Sequence, residues 1–426
     1  MHILFLTDNY PPEVNAPASR TFEHCRAWVQ SGHQVTVITC APNFPKGQVY
    51  DGYRNRLWQS EIMDGIQVIR VWSYITANQG VLKRTLDYVS YMVSATLAAL
   101  FVRKADIVVG TSPQLFTTCA AYLVSRYKRV PFVFELRDLW PESIKAVGAI
   151  ENSTVIRWLE RLEMFLYRKT AGVVSVTHAF RRNLTARGID PEKIAVIMNS
   201  VDTTRFRPQP KDAELVARYG LEEKFVAGYV GTHGMAHALE TLLESADRLR
   251  TLPEGERIRF LFLGDGAMKS ALMVKAQTLE LDNVVFIDTV PKSEVPRYWS
   301  LLDVAVIHLK RTELFTMVIP SKLFECMAMG IPVLHGVAGE SAEIVERECV
   351  GLVFEPENTD QLCQGLLRLL GDCDLYDSLR ARCLEVAPNY DRASRAADML
   401  DILENIAAGG HVLPVPHESM EQEPRP

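Results

Sequence analysis

The stretch Ile319-Pro320-Ser321-Lys322-Leu323-Phe324-Glu325-Cys326-Met327-Ala328-Met329-Gly330-Ile331-Pro332-Val333 sets a short helix, its stop signal and the start of a buried strand side by side. Ser321 is a fair N-cap and Gly330 a fair C′ residue, so the spacing predicts a helix from Lys322 to Met329. Gly330-Ile331-Pro332 then ends that helix and opens an apolar run at Val333. One carboxylate, Glu325, falls on the first turns, where the positive end of the helix dipole keeps it ionised. Such a carboxylate can accept two hydroxyl hydrogen bonds from a ribose, and Lys322 beside it suits an anionic diphosphate.

The same alternation of helix and apolar run extends along nearly the whole chain. The first half carries β-rich runs at 3–7, 34–39, 67–72, 107–110, 132–136, 173–177 and 195–198. The second half carries them at 225–231, 259–264, 284–287, 304–309, 332–334 and 352–354. They are continuous rather than alternating, which predicts parallel strands covered by helices on both faces. The expected fold class is therefore α/β, with two doubly wound Rossmann-like domains, 1–203 and 204–390. A charged, proline-bearing segment at 203–211 marks the seam. A C-terminal helix at 391–407 is expected to pack back on the first domain, and 409–426, which lacks periodicity, to be disordered. Ligands bind at strand carboxyl ends in such folds, so the two sheets are expected to face each other across a cleft.

With 426 residues and a hydrophobic fraction of 48%, the chain exceeds one ordinary core. A net charge of −6 argues against a general nucleic-acid binder. The eight cysteines include no C-x-x-C pair and read as reduced thiols of a cytosolic protein. The amino terminus lacks a basic segment and cleavage site and reads as a strand, not a signal peptide. An uncharged run at 88–102, opening on Tyr88 and closing on Val102, is too short to span a bilayer. Lys83, Arg84, Arg103 and Lys104 flank it. It is either a helix packed on the first sheet or a peripheral helix whose cations meet anionic lipid.

Three constellations carry chemistry. Tyr229-Val230-Gly231-Thr232-His233-Gly234 follows a strand and precedes a helical pattern, so its glycines let the backbone approach a diphosphate beside free helix N–H groups. A tight strand-to-helix turn is the plainer reading, and Gly264-Asp265-Gly266 repeats the geometry on the next strand. The loop Asp8-Asn9-Tyr10-Pro11-Pro12-Glu13, continuing to Arg20, is longer than a connection needs. Glu13 is expected to meet an acceptor there, and Arg20 either reaches a phosphate or acceptor or is a plain surface arginine. Glu135-Leu136-Arg137-Asp138-Leu139-Trp140-Pro141-Glu142 sets four charges after a buried strand, which favours an active-site wall. Arg137 would be its cation, Asp138 the acceptor-orienting carboxylate, and Trp140 and Glu142 further acceptor contacts. Asp372-Cys373-Asp374 matches a metal-binding D-x-D, but no strand end presents it, and it reads as chance.

Taken in order, these motifs resemble glycosyltransferase family 4 with the GT-B fold, across about residues 1–405. Tyr10-Pro11-Pro12-Glu13, Arg137-Asp138-x-Trp140-Pro141-Glu142, Asn199-Ser200-Val201-Asp202 and Glu325 through Gly330 to Pro332 carry the likeness. Ala16-Pro17-Ala18-Ser19-Arg20 and Pro320-Ser321-Lys322-Leu323-Phe324-Glu325 resemble the subgroup that builds O-antigen, capsule and colanic-acid units, including L-fucosamine and fucose transferases. The resemblance implies retaining transfer from a nucleotide sugar, UDP-linked and N-acetylated or deoxy, to a lipid-linked saccharide. It makes Glu325 the ribose ligand. Gly231, Thr232, His233, Gly234, Lys322, Leu323, Gly339 and Glu340 stand on the donor side. Arg137, Asp138, Lys322 and Glu325 are the implied catalytic set. Neither a metal nor another cofactor is implied, and the expected location is the cytoplasm or the inner face of its membrane. No protein nucleophile is evident, so the leaving diphosphate would take the acceptor proton.

Three departures stand out. Met317 replaces the family's first glutamate, leaving Glu313 as a substitute; Ala16-Pro17 replaces Gly-Gly; and Arg137 stands where many members have histidine. A nucleotide-sugar 2-epimerase and a non-catalytic glycosyltransferase-like subunit remain the alternatives.

Overall fold

Short apolar runs leave little surface suited to water, and most become strands buried on both sides, the edge strands Val284–Ile287 and Gly351–Val353 being only half-buried. In the computed structural model, which describes residues 1–76, 81–140 and 153–412, these strands form two sheets in two units. Unit 1 comprises Met1–Met198 and the segment from Arg392, and unit 2 comprises Asn199–Asp391.

In unit 1, β1 (His2–Leu6), β2 (Gln34–Cys40), β3 (Trp58–Met63), β4 (Ile66–Val71), β5 (Ile107–Thr111), β6 (Phe132–Leu136), β7 (Gly172–Ser175) and β8 (Ile194–Val196) pair in the order β3-β4-β2-β1-β5-β6-β7-β8. Among the described pairings only β3 with β4 is antiparallel. β3 is not among the continuous apolar runs, because Trp58-Gln59-Ser60-Glu61-Ile62-Met63 alternates and lies half in water at the sheet edge. Asp64-Gly65 between β3 and β4, with φ of 49° and 82°, is the hairpin turn that betrays it.

One face of this sheet (Ile3, Phe5, Val37, Val109) packs with Cys25 and Trp28 of helix Ala16–Gln30 and Met399 and Leu403 of helix Arg392–Ala407. The Trp28 indole N–H donates to the Ala396 carbonyl at 2.8 Å. The other face carries helices Val81–Phe101, Leu115–Lys128 and Ser153–Lys169. There the Tyr91 hydroxyl donates to the Thr7 carbonyl at 2.7 Å, and the Phe134 and Tyr167 rings lie 4.7 Å apart. Beyond the last helix, Val412 still packs against the unit 1 core; residues 413–426, most of the segment expected to be disordered, lie outside the described residues.

In unit 2, β9 (Phe225–Val230), β10 (Ile258–Leu263), β11 (Val284–Ile287), β12 (Val304–His308), β13 (Val333–Gly336) and β14 (Gly351–Val353) pair in parallel in the order β11-β10-β9-β12-β13-β14. Strand order reverses between β9 and β12, which makes their carboxyl ends the natural ligand site. Residues 199–203, placed above with the first domain, lie in unit 2: the Val201 N–H donates to Tyr390 O at 3.0 Å and the Thr203 hydroxyl to Asp391 at 2.6 Å.

Candidate active site

β9 and β10 each end on a glycine at positive φ, Gly231 at +135° and Gly264 at +141°. A Cβ on Gly264 would fall 2.0 Å from the Gly231 carbonyl oxygen, so the two strand-end loops touch backbone to backbone. A Cβ on Gly231 would sit 3.1 Å from the Lys322 Nζ. Glycine there leaves room for an ammonium group, which stands 3.8 Å from the Tyr229 ring centroid. Burial pulls the Lys322 ammonium down from 10.5 to about 8.

Several expectations for this loop are corrected by the geometry. The Gly231 and His233 N–H groups do not face a ligand; they donate to Leu263 O and Asp265 O, both at 2.9 Å. The His233 ring turns inward among Tyr229, Phe262 and Phe286, and burial pushes its imidazole down to about 4, so it is neutral packing rather than a donor contact. Gly234 is followed by a 3-10 turn at Met235–His237, and the α-helix starts only at Glu240, so no α-helix amino terminus stands at the loop itself. Thr232 is the exposed member of the loop. Gly231→Ala is expected to displace the Lys322 ammonium and to lower stability by about 1–3 kcal/mol, since φ +135° strains any side chain, with denaturant unfolding as the check.

Helix Lys322–Met329 has the predicted bounds but not the predicted cap. Ser321 adopts helical angles and its side chain caps nothing; the Leu323 N–H donates instead to Pro320 O at 3.1 Å. Gly330 closes the helix in the left-handed region, and the Ile331 N–H returns to Cys326 O at 2.9 Å. Leu323 is fully buried and packs the helix down, so its side chain is not a ligand contact. Glu325 is half-buried, and its Oε2 accepts the Trp299 indole N–H at 3.2 Å. Trp299 is itself fully buried, a fixed support for the carboxylate that sequence reasoning missed because a lone tryptophan at a helix end carries no motif.

Gly339, at φ +79°, caps helix Glu340–Glu348 and lies so close to Thr316 that a Cβ would fall 2.1 Å from the Thr316 carbonyl. Glu340, expected at the donor, is buried. Thr316, Ala338, Lys310, Phe315 and Pro356 help line a cavity of about 280 Å³ that Glu313 also borders. The Lys310 N–H donates to Ala236 O at 2.8 Å, tying this loop to the one after β9. Asp372 caps helix Cys373–Val386 through the Leu375 N–H at 3.0 Å, which accounts for the D-x-D by helix capping.

In unit 1 the expected acceptor residues divide. Arg20 is 1% exposed and makes three buried bonds: Nε to Glu135, and its two amino groups to Met198 O and Ile197 O, each at 2.9 Å. Its guanidinium is committed to these partners within the fold. Glu13 is also buried, with Oε1 accepting the Asn43 and Phe44 N–H groups at 2.7 and 2.9 Å; it clamps the loop after β2. Trp140 is buried edge-on to Phe116. Glu142 lies outside the described residues. Arg137 and Asp138 remain half-buried at the carboxyl end of β6, where the Ser112 hydroxyl accepts both N–H groups at 2.8 and 3.2 Å. Burial lowers Arg137 to about 9, and its guanidinium donates to Pro17 O at 3.0 Å. Asp8 follows β1 in a position that the sequence motifs do not mark. It is half-buried, accepts the Gln114 amide at 3.3 Å, and is pushed up by burial to about 6.

Two Rossmann-like units, one with paired glycine turns beneath a lysine at its switch point, define the class of a GT-B glycosyltransferase. Residues 15–200 match the family described as Glycosyl transferase 4-like domain and residues 224–372 that of Glycosyl transferases group 1. The chain belongs to the family 4 type of GT-B glycosyltransferases. It is 25% identical over 385 residues to the putative colanic acid biosynthesis glycosyl transferase WcaI of Escherichia coli, covering 87% of this chain and 92% of that protein. It is 26% identical to the alpha-D-kanosaminyltransferase of Streptomyces kanamyceticus, over 66% of this chain and 71% of that protein. Among solved structures, sucrose-phosphate synthase from Thermosynechococcus elongatus shares its fold with a TM-score of 0.78 at 16% identity, over 96% of this chain and 100% of that one. Anabaena HepE in complex with UDP-glucose does so with a TM-score of 0.71 at 17% identity, over 95% and 99%.

Proposed function

We propose that this chain is a retaining glycosyltransferase of surface-polysaccharide biosynthesis, moving a sugar from a nucleotide diphosphate donor to a hydroxyl of a lipid-linked saccharide. The observation that carries this reading is the Lys322 ammonium held over Gly231 at the switch point of unit 2. In the reaction the bond from the sugar C1 to the phosphate oxygen breaks, its electron pair leaving with the diphosphate. The acceptor oxygen bonds C1 on the same face, and its proton passes to the departing phosphate oxygen. Lys322 neutralises charge as it develops there, a task that other enzymes give to a metal. Glu325, steadied by Trp299, accepts the ribose hydroxyls. Asp138 and Arg137 orient the acceptor at the end of β6.

A UDP-linked donor with an acetamido or deoxy substituent fits best. The cavity beside Thr316 offers Phe315, Ala338 and Pro356 as apolar walls for a methyl group, next to Lys310 and Glu313 for hydroxyls. The name of WcaI and the UDP-glucose complex of HepE support the pathway and donor class by likeness. A panel of nucleotide sugars with a lipid-linked acceptor tests the proposal. Glu325→Ala is expected to raise the donor KM about 10–100-fold, by loss of two charge-assisted hydrogen bonds, with a smaller fall in kcat. Unchanged kinetics would remove Glu325 from the donor site.

A further inference from the structure

The outer surface of unit 1 carries an apolar and cationic face that its own core does not use. Helices Val81–Phe101, Leu115–Lys128 and Ser153–Lys169 lie in a row: the first packs on β2 and β4, the second on β1, β5 and β6, and the second touches both of the others. Side chains that turn away from the sheet should be polar. Here Val93, Leu97 and Phe101 of the first helix are 48, 55 and 76% exposed, at a four-residue spacing that aligns them. Tyr127 of the second is 66% exposed, and Trp158 and Phe165 of the third 57 and 40%. The patch runs on to the sheet edge, where Trp58 of β3 meets Phe101 edge-on at 6.3 Å. Tyr122 and Phe165 link the second and third helices at 5.4 Å.

The charges on this face have one sign. Among the described residues of the three helices, every exposed ionisable side chain except Tyr127 is a cation: Lys83, Arg126, Arg157, Arg161, Arg168 and Lys169. Asp87 and Glu160 are half-buried. Trp158, Arg161, Phe165 and Arg168 recur at three- and four-residue steps, so aromatic and guanidinium groups share one stripe. This bias stands against a whole-chain charge of −6. No described helix is long and apolar enough to cross a membrane. Aromatic and aliphatic groups interleaved with cations on a flat helical layer match the boundary between acyl chains and anionic headgroups.

We infer that the outer face of these three helices rests on an anionic phospholipid bilayer. The helices lie in its plane, with Trp158, Phe165, Leu97 and Phe101 in the acyl boundary and the arginines at the phosphates. This extends the reading of a lipid-linked acceptor, but its test reads binding rather than turnover, so either can fail without the other.

The test is sedimentation of the full chain with vesicles of phosphatidylcholine alone, or with about one third phosphatidylglycerol. Binding to the anionic vesicles only, weakened by salt, is expected. The double variant Trp158→Ser/Phe165→Ser is expected to bind about tenfold more weakly, and Arg161→Glu/Arg168→Glu to lose most of its binding. Trp158, Arg161 and Arg168 are exposed, and only Phe165 also packs on Tyr122, so a small fall in melting temperature is expected of the Phe165 change alone, with circular dichroism showing the fold retained. Failure of the parent to bind, or equal binding by the variants, would overturn the inference. So would a parent dimer that the Trp158→Ser/Phe165→Ser change dissociates, since a second copy would then be what covers this face.

Discussion

Lys322→Met is expected to lower kcat/KM for the nucleotide sugar by about 10²–10³-fold, the loss typical of removing one preorganised electrostatic contact to a developing charge. The same change should make the protein more stable. In the folded chain the ammonium is held at about 8 by burial, against 10.5 for a free lysine. Folding therefore disfavours the charged form, and this penalty is present in full at neutral pH. It fades as pH rises from about 8 towards 10.5, so in the parent this group's contribution to stability improves over that window. Methionine fills similar volume without charge and should raise stability at pH 7 by about 1–2 kcal/mol after discounting for partial solvent access. Steady-state kinetics and thermal melts on one preparation check both halves. A second signature follows from the same group: in the parent, kcat/KM should fall as pH rises through about 8. Lys322→Arg should move that fall upward, because a guanidinium stays protonated.

Arg20→Ala is expected to lower stability by about 3–5 kcal/mol, the range found when one partner of a buried ion pair is removed. Three groups lose their partner at once: the Glu135 carboxylate and the carbonyls of Ile197 and Met198. Burial alone would push Glu135 up, but Arg20 and Arg137 outweigh it and hold the carboxyl below its ordinary value. Its contribution to stability is thus present above pH 4.5 and lost as pH falls through the lower folded value. Without Arg20 that carboxylate keeps the charge of Arg137 and the Thr111 hydroxyl but loses its directly paired guanidinium. Lysine should not rescue the variant, since a single ammonium cannot reproduce the planar fork that spans all three partners. Denaturant unfolding followed at Trp28, in the same core as helix Ala16–Gln30, reads the loss directly. A raised acceptor KM with stability intact would instead return Arg20 to the site.

These two residues show what was legible in the sequence. The parallel strands were, because short apolar runs bounded by turn residues suit strands covered on both faces, whereas the longer run at 88–102 is a helix; β3 was not, because its alternation with Glu61 and Gln59 follows the rule for a half-exposed edge. Glu325 and Lys322 were legible because a helix with a recognisable stop fixed their placement. Arg20 and Glu13 were misread for a common reason. Charged residues in a long loop at a strand end are as well suited to clamping that loop from within as to meeting a ligand. Only burial distinguishes the two, and burial depends on partners such as Glu135 and Phe44 that are distant in sequence. His233 was misread likewise, since the aromatic cluster of Phe262 and Phe286 that encloses it comes from two other strands.

In the proposed reaction this chain breaks a nucleotide-sugar bond and passes the sugar to an acceptor with its anomeric configuration kept. Nuclear magnetic resonance of the product formed from an α-linked nucleotide sugar and a lipid-linked saccharide tests it most directly. A new α-glycoside is expected to appear in step with free nucleoside diphosphate, and only when acceptor is present. A β-glycoside would contradict the proposed same-face transfer, and an epimerised nucleotide sugar formed without acceptor would contradict transfer altogether.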